Sequence, residues 1–135
     1  MKIKNKLLIS GFHSVNLILI IFYLYPGSIL GCYMYNNCNI QPQITPNFTI
    51  YSNYLISSNH IYVFAILSAM GIFAYGNTKK IKLLIIYLFL LSIILELFHI
   101  IIPVRGFELS DLFGNIVGVI LVVFIYKIVI RYVRT

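Results

Sequence analysis

The sequence predicts an all-α, polytopic membrane protein with four transmembrane helices and both termini in the cytoplasm. Three observations support this fold class: 61% of the residues are hydrophobic, only 10% are charged, and the apolar residues fall into four long runs. A soluble domain of 135 residues has too little interior for this apolar surface, so a lipid bilayer must solvate it. The net charge of +7 does not indicate nucleic-acid binding, because the basic residues form short clusters between the apolar runs.

The chain is predicted to form one membrane domain, residues 1–135. We predict its transmembrane helices at residues 7–25, 59–76, 83–104 and 112–130. At about 1.5 Å per residue, the first run is long enough to cross a hydrocarbon core of about 30 Å. Pro26 and Gly27, which follow it, do not form the small-residue cleavage site of a signal peptide, so we expect this helix to be retained.

Residues 26–57 form the long loop, which we expect on the extracytoplasmic side. The loop is uncharged and rich in tyrosine, which favours a position along the lipid headgroups. Its length is more typical of a lid or cap than of a simple connection. Cys32 and Cys38 lie in it at a spacing that does not fit a zinc knuckle. Two interpretations stay open: a small disulfide, if the loop faces an oxidising compartment, or two unpaired thiols.

The basic residues predict the orientation in the membrane. Nine of the ten fall on one side of the predicted bundle, which leaves Arg105 alone on the other side. The nine are Lys2, Lys4, Lys6, Lys79, Lys80, Lys82, Lys127, Arg131 and Arg134. The positive-inside rule assigns their side to the cytoplasm. The long loop and the segment from Arg105 to Asp111 are then expected to face outward, where a disulfide can form.

The ionisable residues of the third and fourth helices are candidates for a functional site. Glu96 and His99 are three residues apart and share one face of the third helix. A charged side chain at the bilayer centre costs about 2.5–3.5 kcal/mol, so Glu96 must be paired, protonated or solvated by a polar cavity. Asp111 is expected at the start of the fourth helix, where it can cap the exposed amides, with Asn115 one turn deeper.

These residues are expected to meet at one depth. Because the connection between the third and fourth helices is short, the two must be antiparallel neighbours. We predict that they form a polar pocket in the outer leaflet, with His60 at its rim. The other residues of this pocket are Glu96, His99, Arg105, Asp111 and Asn115. Gly114 and Gly118 form a small-x-x-x-small pair, which we assign to helix packing.

The order of these residues resembles the signature of the VanZ-like membrane proteins, a family named for a teicoplanin-resistance determinant. That signature runs Glu-x-x-Gln, Pro-x-Arg and Asp-x-x-x-Asn-x-x-Gly, with a histidine at the start of the preceding span. The matching positions are His60, Glu96, Pro103, Arg105, Asp111, Asn115 and Gly118. His99 stands where the family usually has Gln, and Ile56 and Ser57 replace a common Asp-Lys pair. The resemblance covers residues 57–122.

The resemblance implies a multi-pass protein of the cell membrane and cell envelope, linked to glycopeptide (teicoplanin) resistance, without an established reaction. The residues themselves leave four interpretations open: a polar lock between helices, a clamp for an anionic headgroup, general-base catalysis by Glu96 or His99, and a metal held with His60. We favour the clamp, binding a phospholipid or a polyprenyl-phosphate-linked precursor, over an enzyme. The alternative is an accessory subunit of a larger membrane complex. Since only one Glu-x-x-His motif is present, we expect no metal. We also expect no cofactor and no nucleic-acid partner.

Overall fold

A computed structural model of the protein describes residues 3–42, 48–50 and 53–133. In chain order, its elements are α1 (Ile3–Leu24), α2 (Ile29–Tyr35), β1 (Phe48–Ile50), β2 (Asn53–Ile56), α3 (Ser58–Tyr75), α4 (Ile81–Phe98) and α5 (Leu109–Val133). Within the described part of the chain, α1, α3, α4 and α5 are long and apolar enough to cross a membrane. The chain is therefore an all-α polytopic membrane protein, as its composition predicts. A short antiparallel hairpin of β1 and β2 is the exception to the helical structure.

The third transmembrane helix is shorter than the sequence predicts. It ends at Phe98 instead of Val104. Beyond Phe98, the N–H groups of His99 and Ile100 bond to carbonyls three residues back, at 3.1 Å in each case, which tightens the last turn. Pro103 cannot continue a helix, and Val104 adopts a positive φ of 65°. The chain therefore turns before the predicted end and leaves His99 outside the helix.

The fourth transmembrane helix begins earlier than predicted, at Leu109 instead of residue 112. Asp111 consequently lies inside the first turn and is not the N-terminal cap. The N–H of Glu108, just before this helix, donates instead to Oε1 of Glu96 at 3.2 Å. A carboxylate from the neighbouring helix thus satisfies one of the N–H groups that a helix N-terminus leaves without partners.

The loop at residues 26–57 contains regular structure that the sequence analysis did not predict. The side chain of Ser28 caps α2 by accepting an N–H of its first turn at 3.0 Å. Asn36 ends α2 in the left-handed conformation, with φ 49°. Cys32 and Cys38 are joined in a disulfide, so the first of the two interpretations describes this structure. The disulfide ties the middle of α2 to the segment that follows this helix.

Helices α3 and α5 approach each other closely along two glycines. A Cβ atom on Gly114 would lie 2.6 Å from the carbonyl oxygen of Ser57. A Cβ atom on Gly118 would lie 2.5 Å from the carbonyl oxygen of Ile61. Both glycines therefore allow backbone contact that any larger residue would prevent. Around this contact, the fully buried apolar side chains include Phe64, Leu88 and Val119.

The two ends of the helix bundle differ in charge. The turn between α3 and α4 carries Lys79 and Lys80, and the Tyr126 hydroxyl of α5 donates to the Gly76 carbonyl beside it at 2.8 Å. Arg105 lies at the opposite end, after α4 has returned across the bundle. Two basic residues used for the orientation lie outside the described residues: Lys2 and Arg134. The assignment of the basic end to the cytoplasm stays a prediction.

Candidate functional site

Polar side chains from four helices and the loop before α5 meet at the end of the bundle that carries Arg105. The predicted pocket residues all lie in this region: His60, Glu96, His99, Arg105, Asp111 and Asn115. Two pairs and one aromatic side chain organise the site. His60 pairs with Asp111, Glu96 pairs with His99, and Tyr23 of α1 lies between them.

The first pair joins α3 to α5. His60 Nδ1 lies 3.1 Å from Oδ1 of Asp111, and the two side chains are 16% and 14% exposed. The Ser57 hydroxyl lies 2.8 Å from the same ring nitrogen. The backbone N–H of Ser57 also donates to the Ser110 carbonyl at 3.0 Å, so the starts of both helices are held together. This pair therefore has a defined geometry and retains a small opening towards solvent.

The second pair is buried. The side chain of Glu96 is fully buried, and that of His99 is 3% exposed, with Nδ1 lying 3.3 Å from Oε1 of Glu96. Its Nε2 lies 3.1 Å from the carbonyl oxygen of Tyr23, which can only accept a hydrogen bond. Nε2 must therefore carry the hydrogen of this contact. The other carboxylate oxygen, Oε2 of Glu96, has no hydrogen-bond partner among the described residues.

Tyr23 connects these pairs to the rest of the bundle. Its ring stacks on His99 with centroids 5.5 Å apart and meets the ring of His60 edge-on at 5.7 Å. Its hydroxyl donates to Oδ1 of Asn115 at 2.8 Å. The amide of Asn115, which is fully buried, donates in turn to the Ser92 carbonyl at 3.3 Å. Tyr23 thereby links α1 with α3, α5 and the end of α4.

Arg105 is held by the end of α1. Its Nη2 donates to the Phe22 carbonyl at 2.9 Å, and its Nε donates to the Tyr25 carbonyl at 3.4 Å. These carbonyls lie in the last turn of the helix and just beyond it, where helical partners are missing. Burial lowers the pKa of Arg105 below its ordinary value, and the effect of nearby Glu96 opposes this change. A guanidinium keeps its positive charge in proteins even so.

A cavity of about 130 Å³ opens beside this arginine. Tyr23, His60 and Arg105 line its polar part. Residues of α2 and of the segments beside it, among them Leu30 and Gln41, also line the cavity. The cavity-lining residues of the long loop thus come from both sides of the segment that the disulfide closes, residues 32–38. The expectation that this loop acts as a cap stays a prediction.

The fold and this site define a polytopic membrane protein with a polar cluster at one end of its bundle. No protein-family model, curated protein or solved structure matches the chain. The resemblance to the VanZ-like family therefore stays a prediction, which depends on the motif residues.

The sequence pattern did not predict the contacts of three residues of the site: Tyr23, His99 and Ser57. It favoured an interfacial position for the tyrosines of the long loop, and it did not place Tyr23 of the first helix in the pocket. It placed His99 opposite the fourth helix, whereas the contacts of this side chain are with Tyr23 and Glu96. It treated Ser57 only as a difference from the family pattern. The available signal was a serine three residues before His60, at the start of an apolar run. Ser57 occupies the N-cap position of α3, but its side chain makes no capping hydrogen bond and its hydroxyl contacts His60 instead.

Proposed function

We propose that the protein recognises the anionic headgroup of a membrane lipid or lipid-linked envelope precursor in the cavity beside Arg105. One observation carries this proposal. Arg105 lines the cavity, and among the described residues it has no carboxylate within ion-pair distance. Its hydrogen bonds go to backbone carbonyls, which hold the side chain without neutralising its charge.

The chemistry of a guanidinium fits a phosphate group. Arginine has five N–H donors in a planar fork, and the two bonds to α1 use only part of this set. The remaining donors can bind two oxygens of one phosphate in parallel, which a lysine could not do. His60 and Tyr23 offer further polar atoms in the same cavity.

The size and position of the cavity favour a headgroup over a whole lipid. A volume of about 130 Å³ can take a small polar group but not an acyl or polyprenyl chain. The chain of the ligand would stay in the bilayer, against apolar side chains such as Phe22 and Ile29 at the cavity wall. If the positive-inside rule holds, the headgroup enters from the outer leaflet of the cell membrane. Phospholipids and polyprenyl-phosphate-linked precursors both carry the required phosphate.

Native mass spectrometry of the purified protein with defined lipids tests this proposal. We expect binding of phosphatidylglycerol and of a polyprenyl phosphate, and weaker binding of phosphatidylcholine. Arg105→Ala should weaken binding of the anionic lipids about tenfold or more, since a charge-assisted phosphate contact contributes about 1.5–3 kcal/mol. Lys79→Ala, which removes one charge from the opposite end, is the matched control and should bind like the wild type.

Equal losses in Arg105→Ala and Lys79→Ala would indicate unspecific charge attraction and would contradict the proposal. Co-purification with another membrane protein at fixed stoichiometry, without lipid, would favour the accessory-subunit alternative.

The link to teicoplanin resistance has its own readout. Expression in a glycopeptide-sensitive host should raise the inhibitory concentration of teicoplanin with the wild type and not with Arg105→Ala.

A further inference from the structure

We propose that His60, Glu96 and Asp111 form a binding site for a divalent transition-metal ion such as Zn²⁺. This site is separate from the arginine contact on which the proposed function depends. The three residues come from α3, α4 and α5, and each offers one ligand atom. These ligand atoms all lie within 4.8 Å of one another.

The unpartnered oxygen of Glu96 is the independent observation in favour of a ligand. The side chain is fully buried, and Oε2 has no hydrogen-bond partner among the described residues. Buried polar atoms of native proteins are nearly always paired, because desolvation without a partner is costly. The other oxygen, Oε1, is held by the N–H of Glu108 and faces Nδ1 of His99. Hydrogen bonds of this kind commonly orient a carboxylate that coordinates a metal.

The donor set selects the class of metal. One imidazole and two carboxylates suit Zn²⁺ and its neighbours in the first transition row, whereas Ca²⁺ and Mg²⁺ prefer oxygen ligands throughout. Three protein ligands with one open position are typical of zinc sites that bind a further ligand. Because His60 also lines the cavity, a fourth ligand can enter from that side.

The distances allow such a site with small side-chain movements. Tetrahedral coordination at about 2.0–2.2 Å separates neighbouring ligand atoms by about 3.4 Å. The 3.1 Å between His60 Nδ1 and Asp111 Oδ1 is already close to that separation. Glu96 completes the group within 4.8 Å. To bind one metal ion, the ligand atoms must therefore approach one another by about 1 Å. The partial exposure of His60 and Asp111 leaves room for this adjustment.

Metal binding to the tag-free protein in detergent tests the proposal. After dialysis against a chelator, the protein is titrated with Zn²⁺ by calorimetry, and its metal content is measured by mass spectrometry. We expect one Zn²⁺ per chain, and a visible absorption band of tetrahedral Co²⁺ when Co²⁺ replaces it. Glu96→Gln and His60→Gln should each weaken binding by at least about tenfold. His13→Gln is the matched control, because this histidine contacts Tyr75 outside the cluster, and it should leave binding unchanged.

Two further results decide the assignment. Arg105→Ala should keep its Zn²⁺ even where it loses the anionic lipid, which separates this site from the proposed function. A wild-type protein that binds neither Zn²⁺ nor Co²⁺ would overturn the proposal and leave the three residues as a polar lock between helices. Binding that persists in both Glu96→Gln and His60→Gln, or disappears in His13→Gln, would place the metal elsewhere and overturn it too.

Discussion

Tyr23 illustrates how a single hydroxyl can organise a polar site inside a membrane protein. Its ring packs between His60 and His99, while its hydroxyl satisfies the fully buried Asn115. No bulk water is present in the bilayer core to replace a lost partner. The hydrogen bond from this hydroxyl to Asn115 therefore helps to fix the arrangement of the site.

Tyr23→Phe should destabilise the protein by about 1–3 kcal/mol, because Oδ1 of Asn115 would remain buried without a donor. The aromatic contacts are retained in this variant, so the change isolates the hydroxyl. The measurement is the fraction of folded protein that remains by size-exclusion chromatography after heating in detergent. Tyr33→Phe, at a side chain that is 88% exposed, is the control and should unfold like the wild type. Equal stability of all three proteins would contradict the assignment.

At the scale of elements, the contact between α3 and α5 positions the site. Gly114 lies one turn below Asp111 and allows the backbone of α5 to touch that of α3 near Ser57 and His60. The spacing between His60 and Asp111 thus depends on the absence of a side chain at Gly114. Helix association in lipid depends on such close packing, because no hydrophobic effect drives apolar helices together there.

Gly114→Ala should destabilise the protein by about 1–3 kcal/mol, because the added Cβ forces the two helices apart. The same heating assay measures this loss. Gly11→Ala is the matched control, since a Cβ there would meet nothing within 4 Å. Alanine in the middle of α1 should leave the stability unchanged or raise it by up to about 1 kcal/mol. A stable Gly114→Ala protein would mean that the helices can separate without loss.

At the scale of the whole molecule, charge and polarity are divided between the two ends of the bundle. One end carries the lysine-rich turn at residues 77–82, and the other carries the acidic residues, the site histidines and the disulfide-closed segment. The positive-inside rule predicts that the lysine-rich end faces the cytoplasm. The disulfide agrees with this orientation, because disulfides persist in oxidising compartments.

Single-cysteine labelling checks the orientation. In a background with Cys32→Ser and Cys38→Ser, Gly106→Cys should react with a membrane-impermeant maleimide added to intact cells. Asn77→Cys, in the turn at the opposite end, should react only after the membrane is permeabilised. The opposite pattern would contradict the predicted topology and would move the cavity to the inner leaflet.

Composition and spacing were enough to predict the membrane as the solvent of this protein, the number of its spans and the polar residues available for a site. Each of these follows from composition and from spacing along one chain, which a bilayer constrains strongly. The side-chain contacts came from the three-dimensional structure alone: Tyr23 joins the site, His99 contacts α1, and within the described part of the chain Oε2 of Glu96 has no hydrogen-bond partner. Those facts depend on how each helix is rotated about its axis. Because transmembrane helices are apolar on nearly every side, their sequence pattern does not specify that rotation, and side-chain packing between helices does.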